Sequence, residues 1–398
     1  MFPFDVILRA VPGAPIDAAA APARAAVVLL AAEADRPVLL ATTADARAFL
    51  RRRLDQPVSP DDADNPPPAR HAPPRADLSS IVASASLTLV GSGLEADLAF
   101  LAIARRTLPQ SWEALTERWR AWFIHLDPDA PVPAWRKTNL ADHPRSAPDP
   151  ATLIGPILNK DTAGRVAEAI DDLFDLCRFP GELALAPRGT PCAYKEMGKC
   201  PAPCDGSEPI DHYRDRVRHA LATLRANPAE RAAPIEAAMR AAAANHDFEA
   251  AARHKARLDA LALLDKPATR QARPLDTLSH LAILGSGRPG WARVWRISPH
   301  ACAPIADVDG TRPALGLDAL HGALRDPTPA AVIPGPGTLD PALLGVIARH
   351  MLAPPARRGG FVRIADGDFD HAVAARLVRS AARTDSADVE EFDRATLA

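Results

Sequence analysis

The alternation of apolar and polar positions near the start of the chain predicts a small α/β unit. An apolar run from Arg24 to Ala32, a polar turn and a second short run from Val38 to Ala41 are typical of a β-hairpin. The arginine-rich segment from Asp45 to Leu54 then carries a helical pattern. A further strand is predicted at Ser80–Val90, followed by a helix from about Leu94 to Leu108.

In the middle of the chain, the segment from Leu153 to Leu176 begins with IGPILN, which predicts a turn, and continues as an amphipathic helix into Cys177. Three more helices are predicted, at His212–Ala226, Pro234–Ala244 and Asp247–Leu264. Because only Asn245 and His246 separate the last two, we expect them to form an antiparallel hairpin. After Pro274 strand-like segments return, and helices are predicted at Leu339–Met351 and His371–Ala382.

These patterns indicate an α+β multidomain fold with five parts. They are a small α/β domain at 1–110 with a solvated, proline-rich insertion at 55–77, a connecting region at 111–176, a cysteine segment at 177–206, a helical region at 207–268, and a C-terminal α/β domain at 274–398.

Composition narrows the class of protein. The formal net charge of -2 over 398 residues is not that of a basic nucleic-acid coat, so binding to a polyanion would need local patches. No apolar run reaches the ~20 residues that cross a bilayer, which predicts no membrane partner. The opening residues MFPFDVILRA lack the pattern of a secretory signal, so we expect a cytoplasmic protein.

Four of the five cysteines lie close together in the chain, and they suggest a shared ligand. Cys177, Cys192, Cys200 and Cys204 can supply the four thiolates of a zinc site or an iron–sulfur cluster. Disulfides are disfavoured in a reducing compartment, and buried, inert cysteines remain the alternative. Cys302 stands alone and is expected in the core.

Three segments resemble the UvrC family, the nuclease subunit of bacterial nucleotide excision repair. PCAYKEMGKCPAPCDG is similar to the family's cysteine segment, and IGPILN with the following helix into LFDLC is similar to the segment before it. IEAAMRAAAANHDFEAAARHKARLDAL, within residues 232–266, is similar to the UVR motif. The three occur in the family's order between Gly155 and Leu264.

The resemblance implies a cofactor and partners. It favours an iron–sulfur cluster over zinc at the four cysteines, and a UvrB-type protein as the partner of the UVR hairpin, with DNA as a further candidate. Phe248 would be the apolar anchor of that contact. The other residues implied at the partner surface are Met239, Asp247, Glu249, Ala251 and Arg253.

The upstream region is similar to a GIY-YIG nuclease domain in which the chemistry is missing. SGLEADLAFLAIARRTLP aligns with the family helix and places Phe100 where the metal-binding glutamate is expected. The two family tyrosines fall near Val28 and Leu40, and no tyrosine precedes Tyr194. A catalytic Mg²⁺ or Mn²⁺ ion is therefore not expected. Arg51 and Arg52 are either remnant phosphate contacts or part of a solvated helix face.

The C-terminal residues also differ from the family plan. Residues 274–398 are too few for both an RNase H-like nuclease and a helix-hairpin-helix module, so the chain looks diverged and truncated, with a possible relic of the RNase H-like domain. Turns are the expected place of five aspartates there, Asp307, Asp309, Asp366, Asp368 and Asp370. The favoured interpretation is a nuclease-inactive, UvrC-like repair protein. An active excinuclease-type endonuclease and a metal- or redox-sensing adaptor are the alternatives.

Overall fold

The computed structural model describes residues 2–11, 14–54, 77–140, 148–325, 339–353, 359–383 and 389–395. The predicted insertion at 55–77 lies outside the described residues, apart from Asp77. No helix in these ranges combines the length and apolar character needed to cross a membrane. The fold is mixed α and β, with three separate antiparallel sheets.

The first sheet has five strands in the order β1-β4-β2-β3-β12. Its strands are β1 (Val6–Arg9), β2 (Ala26–Ala31), β3 (Pro37–Thr43), β4 (Ser84–Leu89) and β12 (Phe392–Ala395), and its helices are α1 (Ala46–Arg53) and α2 (Gly93–Thr107). The predicted hairpin, strand and helices are thus confirmed. β12 comes from the far end of the chain, and Phe392 pairs with Thr42 of β3. This strand therefore belongs to the N-terminal sheet, although the sequence groups it with residues 274–398.

The second sheet opens the middle region. It has the order β6-β5-β7, with β5 (Trp122–His125), β6 (Arg136–Thr138) and β7 (Leu153–Ile157), after a short α3 (Trp112–Thr116). α4 (Lys160–Phe174) follows β7, and Asn159 caps its start by accepting the amide hydrogen of Thr162. The turn predicted at the start of 153–176 is therefore a strand, and the amphipathic helix predicted after it is confirmed as α4.

Helices make up most of the region that follows. They are α5 (Pro180–Leu183), α6 (Ala193–Glu196), α7 (Ile210–Arg225), α8 (Pro228–Ala244) and α9 (Phe248–Leu264). The predicted antiparallel pair is confirmed as α8 and α9. Its predicted start at Pro234 is wrong, because Asn227 and Glu230 form a capping box that starts α8 at Pro228 and leaves Pro234 inside the helix.

The third sheet has the order β10-β9-β8-β11. Its strands are β8 (His280–Gly285), β9 (Trp291–Ser298), β10 (Ala301–Asp309) and β11 (Gly360–Arg363), and its helices are α10 (Pro313–Arg325), α11 (Pro341–Met351) and α12 (His371–Ala381). The expectation of turn positions is wrong for Asp307 and Asp309, which lie in β10. It is also wrong for Asp370, which caps α12.

The first and third sheets share one core. A buried hydrophobic cluster joins Phe100 and Leu40 from the N-terminal part to Trp295 and Ile347 from the C-terminal part. At the junction, Arg293 of β9 forms an ion pair with buried Glu95 at 2.5 Å. The two parts therefore pack as one body in the described structure.

Candidate functional site

The cysteine segment begins where α4 ends. Asp175 adopts a left-handed conformation that turns the chain after the helix, and buried Cys177 follows two residues later. The backbone N–H of Cys177 donates to the hydroxyl of Tyr213 on α7 over 2.9 Å. Tyr213 is only 1% exposed, so this contact anchors the start of the segment in the core.

Three of the four predicted thiols converge. Cys177 and Cys200 share a hydrogen bond between their side chains, the charge of Cys204 acts on Cys177, and the charge of Cys200 acts on Cys204. All three are buried. Cys192 is only half-buried, at the start of α6, and the contacts among the other three do not include it. Among the described residues, these cysteines do not form a group whose sulfur atoms all lie within 4.8 Å.

Backbone contacts hold this arrangement. The N–H of Gly189 donates to the carbonyl oxygen of Cys204 over 2.8 Å, and a Cβ at Gly189 would lie 2.6 Å from the carbonyl oxygen of Glu182. Only glycine therefore fits that approach. Arg178 pairs with Asp172 at 2.6 Å and also donates to the carbonyl oxygen of Lys199. These contacts hold the backbone at Cys204 and join Arg178, next to Cys177, to Lys199, next to Cys200.

The hydrogen bond between the two thiols separates their acidities. It lowers the pKa of Cys200 to about 6 and raises the pKa of Cys177 above its ordinary value, and burial adds to the rise. One thiolate is therefore favoured near neutral pH, with a protonated partner beside it. Converging, buried thiols of this kind fit a soft metal or an iron–sulfur group as ligands.

The expected nuclease positions lie in the hydrophobic core. Phe100 is completely buried, and its ring packs edge to face against Trp119 at 5.6 Å and against Phe392 at 5.7 Å. Val28 and Leu40 are buried as well. Arg51 and Arg52 are both exposed, and Arg52 pairs with Glu391 at 2.8 Å.

The helical hairpin of α8 and α9 has a buried base and an exposed tip. At the base, Leu261 and Leu264 join the core that also contains Cys177, and Arg257 pairs with Asp175 at 2.6 Å. At the tip, Phe248 is 68% exposed and starts α9. The other predicted partner residues lie around it: Asp247, Glu249 and Arg253 are exposed, and Met239 and Ala251 are half-exposed.

A basic pocket on α12 was missed by the sequence interpretation. Arg376, Arg379, Ser380 and Arg383 line an open pocket of about 380 Å³. The three guanidinium groups are exposed. Arg376 and Arg379 lie on α12 and Arg383 follows its end, and their spacing of three and four residues is the signal that could have revealed the pocket.

The fold and this site define a multidomain α+β protein whose thiol-rich centre leads into a projecting helical hairpin. Residues 130–223 match the family model described as UvrC/Cho excinuclease, middle domain. The chain is 33% identical over 142 residues to the UvrABC system protein C of Deinococcus radiodurans, covering 36% of this chain and 22% of that relative. It is 34% identical over 113 residues to the same protein of Syntrophotalea carbinolica, covering 28% and 18%.

The middle region of the chain is thus similar to the UvrC family, and the predicted resemblance is confirmed for that region. The matched segments span about a fifth of the length of these curated relatives. No solved structure matches the chain.

Proposed function

We propose that this protein is a cytoplasmic, nuclease-inactive component of excision repair. It would hold a metal cofactor at its cysteines and bind a UvrB-type partner through the tip of its helical hairpin. The observation that carries the proposal is the convergence of Cys177, Cys200 and Cys204 inside the region that matches the UvrC family.

The cofactor is proposed to be an iron–sulfur cluster, because the resemblance of the cysteine segment to that of the UvrC family favours it over zinc. Cys177, Cys192, Cys200 and Cys204 would be its ligands, since four thiolates can hold a cluster with several irons. Bound there, it would tie the segment to α4 and α7.

The exposure of Phe248 supports the partner proposal. Burying a phenylalanine side chain contributes roughly 1.5–3 kcal/mol, and this protein leaves that stabilisation unused at the tip of a hairpin with a firmly packed base. Half-exposed Met239 and Ala251 extend the apolar surface, and Asp247, Glu249 and Arg253 surround it with charge. This is the composition of a small helical docking surface with one central anchor.

The surroundings of residue 100 support the lack of nuclease activity in the N-terminal domain. A divalent cation needs oxygen ligands, and the position expected to supply them is a phenylalanine packed against Trp119 and Phe392. Arg52 forms a surface ion pair with Glu391, as is typical of a solvated helix face. Arg51 is consistent with a solvated helix face.

The basic pocket on α12 supports a contact with DNA. Three exposed guanidinium groups line one pocket at the C-terminal end of α12 and match the phosphate backbone, and such contacts weaken as salt concentration rises. A chain with a formal net charge of -2 needs a local patch of this kind to bind a polyanion.

An incision and binding experiment tests the proposal. The purified protein is incubated with damaged duplex DNA, UvrA, UvrB, ATP and Mg²⁺ or Mn²⁺, and UvrB binding is measured in parallel. The proposal expects UvrB binding without incision. Metal-dependent incision would support the active endonuclease instead, and loss or gain of UvrB binding on thiol oxidation alone would support the redox adaptor.

A further inference from the structure

Two histidines and two aspartates meet between α10 and α12 in the C-terminal part. Nδ1 of His321 lies 3.0 Å from Nε2 of His371, and Nε2 of His321 lies 3.7 Å from an oxygen of Asp368. Nδ1 of His371 lies 3.8 Å from an oxygen of Asp318. One ligand atom from each of His321, Asp368 and His371 falls within 4.8 Å of the others.

The local fold holds these side chains in place. A tight turn places Asp368, because the backbone groups of Ala365 and Asp368 bond to each other at 2.8 and 2.9 Å. Buried Phe369 stacks on the ring of His371 with centroids 4.4 Å apart and planes 10° apart, and it also contacts the ring of His321 at 5.9 Å. Asp370 caps α12, which fixes the backbone at His371. The donor atoms are therefore positioned in advance.

The hydrogen bonds within this group of side chains leave one ring nitrogen without a partner among the described residues. Nε2 of His321 is shielded from solvent and has no hydrogen-bond partner within the described residues, although the carboxylate of Asp368 stands 3.7 Å away. A cation between an imidazole and a carboxylate would satisfy both. Asp318 faces the other ring nitrogen of His371, as the outer carboxylate does beside many metal-bound histidines.

We propose that His321, His371 and Asp368 bind one divalent first-row transition ion, with Zn²⁺ as the best match, and that Asp318 positions His371. Two imidazoles and one carboxylate select zinc-like ions over Mg²⁺ or Ca²⁺, which prefer oxygen ligands alone. The side chain of Asp368 is 62% exposed, so one side of the ion faces water. The ion would clamp α10 to the start of α12.

Cobalt binding to the metal-free full chain tests this site. Co²⁺ held by nitrogen and oxygen ligands absorbs in the visible range, whereas cobalt at the cysteines adds a strong near-ultraviolet thiolate band, so the spectrum separates the two sites. Zn²⁺ affinity is then measured by competition with a chromophoric chelator. We expect one nitrogen- and oxygen-ligated cobalt per chain, displaced by Zn²⁺.

Variants decide whether these residues hold the ion. Asp368→Asn alters an exposed side chain and His371→Ala removes an imidazole, and each should weaken binding at this site at least tenfold. His300→Ala removes a C-terminal histidine outside the group and should leave the affinity unchanged. Zn²⁺ should also raise the Tm of the wild type and not that of Asp368→Asn. Unchanged affinity in both site variants, or cobalt with only the thiolate signature, would overturn the proposal.

Discussion

At the scale of single residues, burial of titratable groups makes stability depend on pH. Asp171 on α4 is 1% exposed and accepts the indole N–H of Trp135 at 3.0 Å, and burial raises its pKa to about 7. His280 on β8 is buried, and burial with the nearby charges of Arg363 and Arg273 lowers its pKa to about 4. The two groups act in opposite directions over the same acidic pH range.

For Asp171, the folded state keeps a proton that the unfolded chain releases above pH 3.8. Stability from this group is therefore lost as pH rises from about 4 to 7. Asp171→Asn keeps an oxygen acceptor for Trp135 and carries no charge. The unfolding free energy of the variant relative to the wild type should rise by on the order of 3 kcal/mol from pH 5 to pH 8, measured by urea unfolding at both values. An equal difference at the two pH values would refute this.

For His280, the folded state excludes a proton that the unfolded chain binds below pH 6.5. Stability is lost as pH falls from 6.5 to about 4 and the loss is complete below that. In His280→Gln, the loss of unfolding free energy between pH 7 and pH 4.5 should be smaller than in the wild type by about 2–3 kcal/mol, measured by chemical unfolding at both values. A loss as large as that of the wild type would show that other groups cause the destabilisation at acidic pH.

At the scale of elements, the base of the helical hairpin contributes to stability, and its tip is the proposed site of recognition. Leu261 at the base is 3% exposed, while Phe248 at the tip is 68% exposed. The base is bound to the core of α4 and α7 and the tip is not. The same substitution should therefore have different effects at the two ends.

We expect Leu261→Ala to cost about 2–4 kcal/mol of unfolding free energy, because it leaves a cavity in the core. Phe248→Ala should change stability by less than about 0.5 kcal/mol and weaken binding of a UvrB-type partner at least tenfold. Chemical unfolding and titration calorimetry measure the two effects. A stable Phe248→Ala variant with full affinity would remove Phe248 from the interface.

At the scale of the whole molecule, the packing of the N-terminal part against the C-terminal part depends on a close backbone contact between Gly91 and Gly287. A Cβ at Gly91 would lie 2.3 Å from the backbone nitrogen of Gly287. The adjacent Arg293–Glu95 pair lies at the same junction, since the N–H of Gly91 donates to Glu95 over 2.7 Å.

Gly91→Ala should therefore force the two parts away from each other. We expect a loss of about 2 kcal/mol or more and faster limited proteolysis between the parts. Gly181→Ala, where a Cβ meets nothing within 4 Å, is a control for the added methyl group and should keep wild-type stability. Equal thermal stability of Gly91→Ala and the wild type would contradict this close contact.

Local features could be predicted from the sequence, and distant contacts could not. The β2–β3 hairpin, α2 and the helical hairpin follow from periodicity within short windows. The pairing of β12 with β3 joins residues about 350 positions apart in the chain. The contact between His321 and His371 joins two helices, α10 and α12. Such contacts depend on the completed fold, which periodicity does not encode. The convergence of Cys177 with Cys200 and Cys204 was indicated only by their clustering in the chain.

Metal analysis after anaerobic purification shows whether the cysteine segment holds an iron–sulfur cluster. We expect iron and acid-labile sulfide in equal amounts, about four of each per chain, with a broad absorbance band at about 400 nm. Cys177→Ser and Cys200→Ser should lose both, and Cys302→Ser should keep them, because Cys302 is buried elsewhere in the core. One zinc per chain without iron, or iron retained in Cys177→Ser, would contradict this expectation.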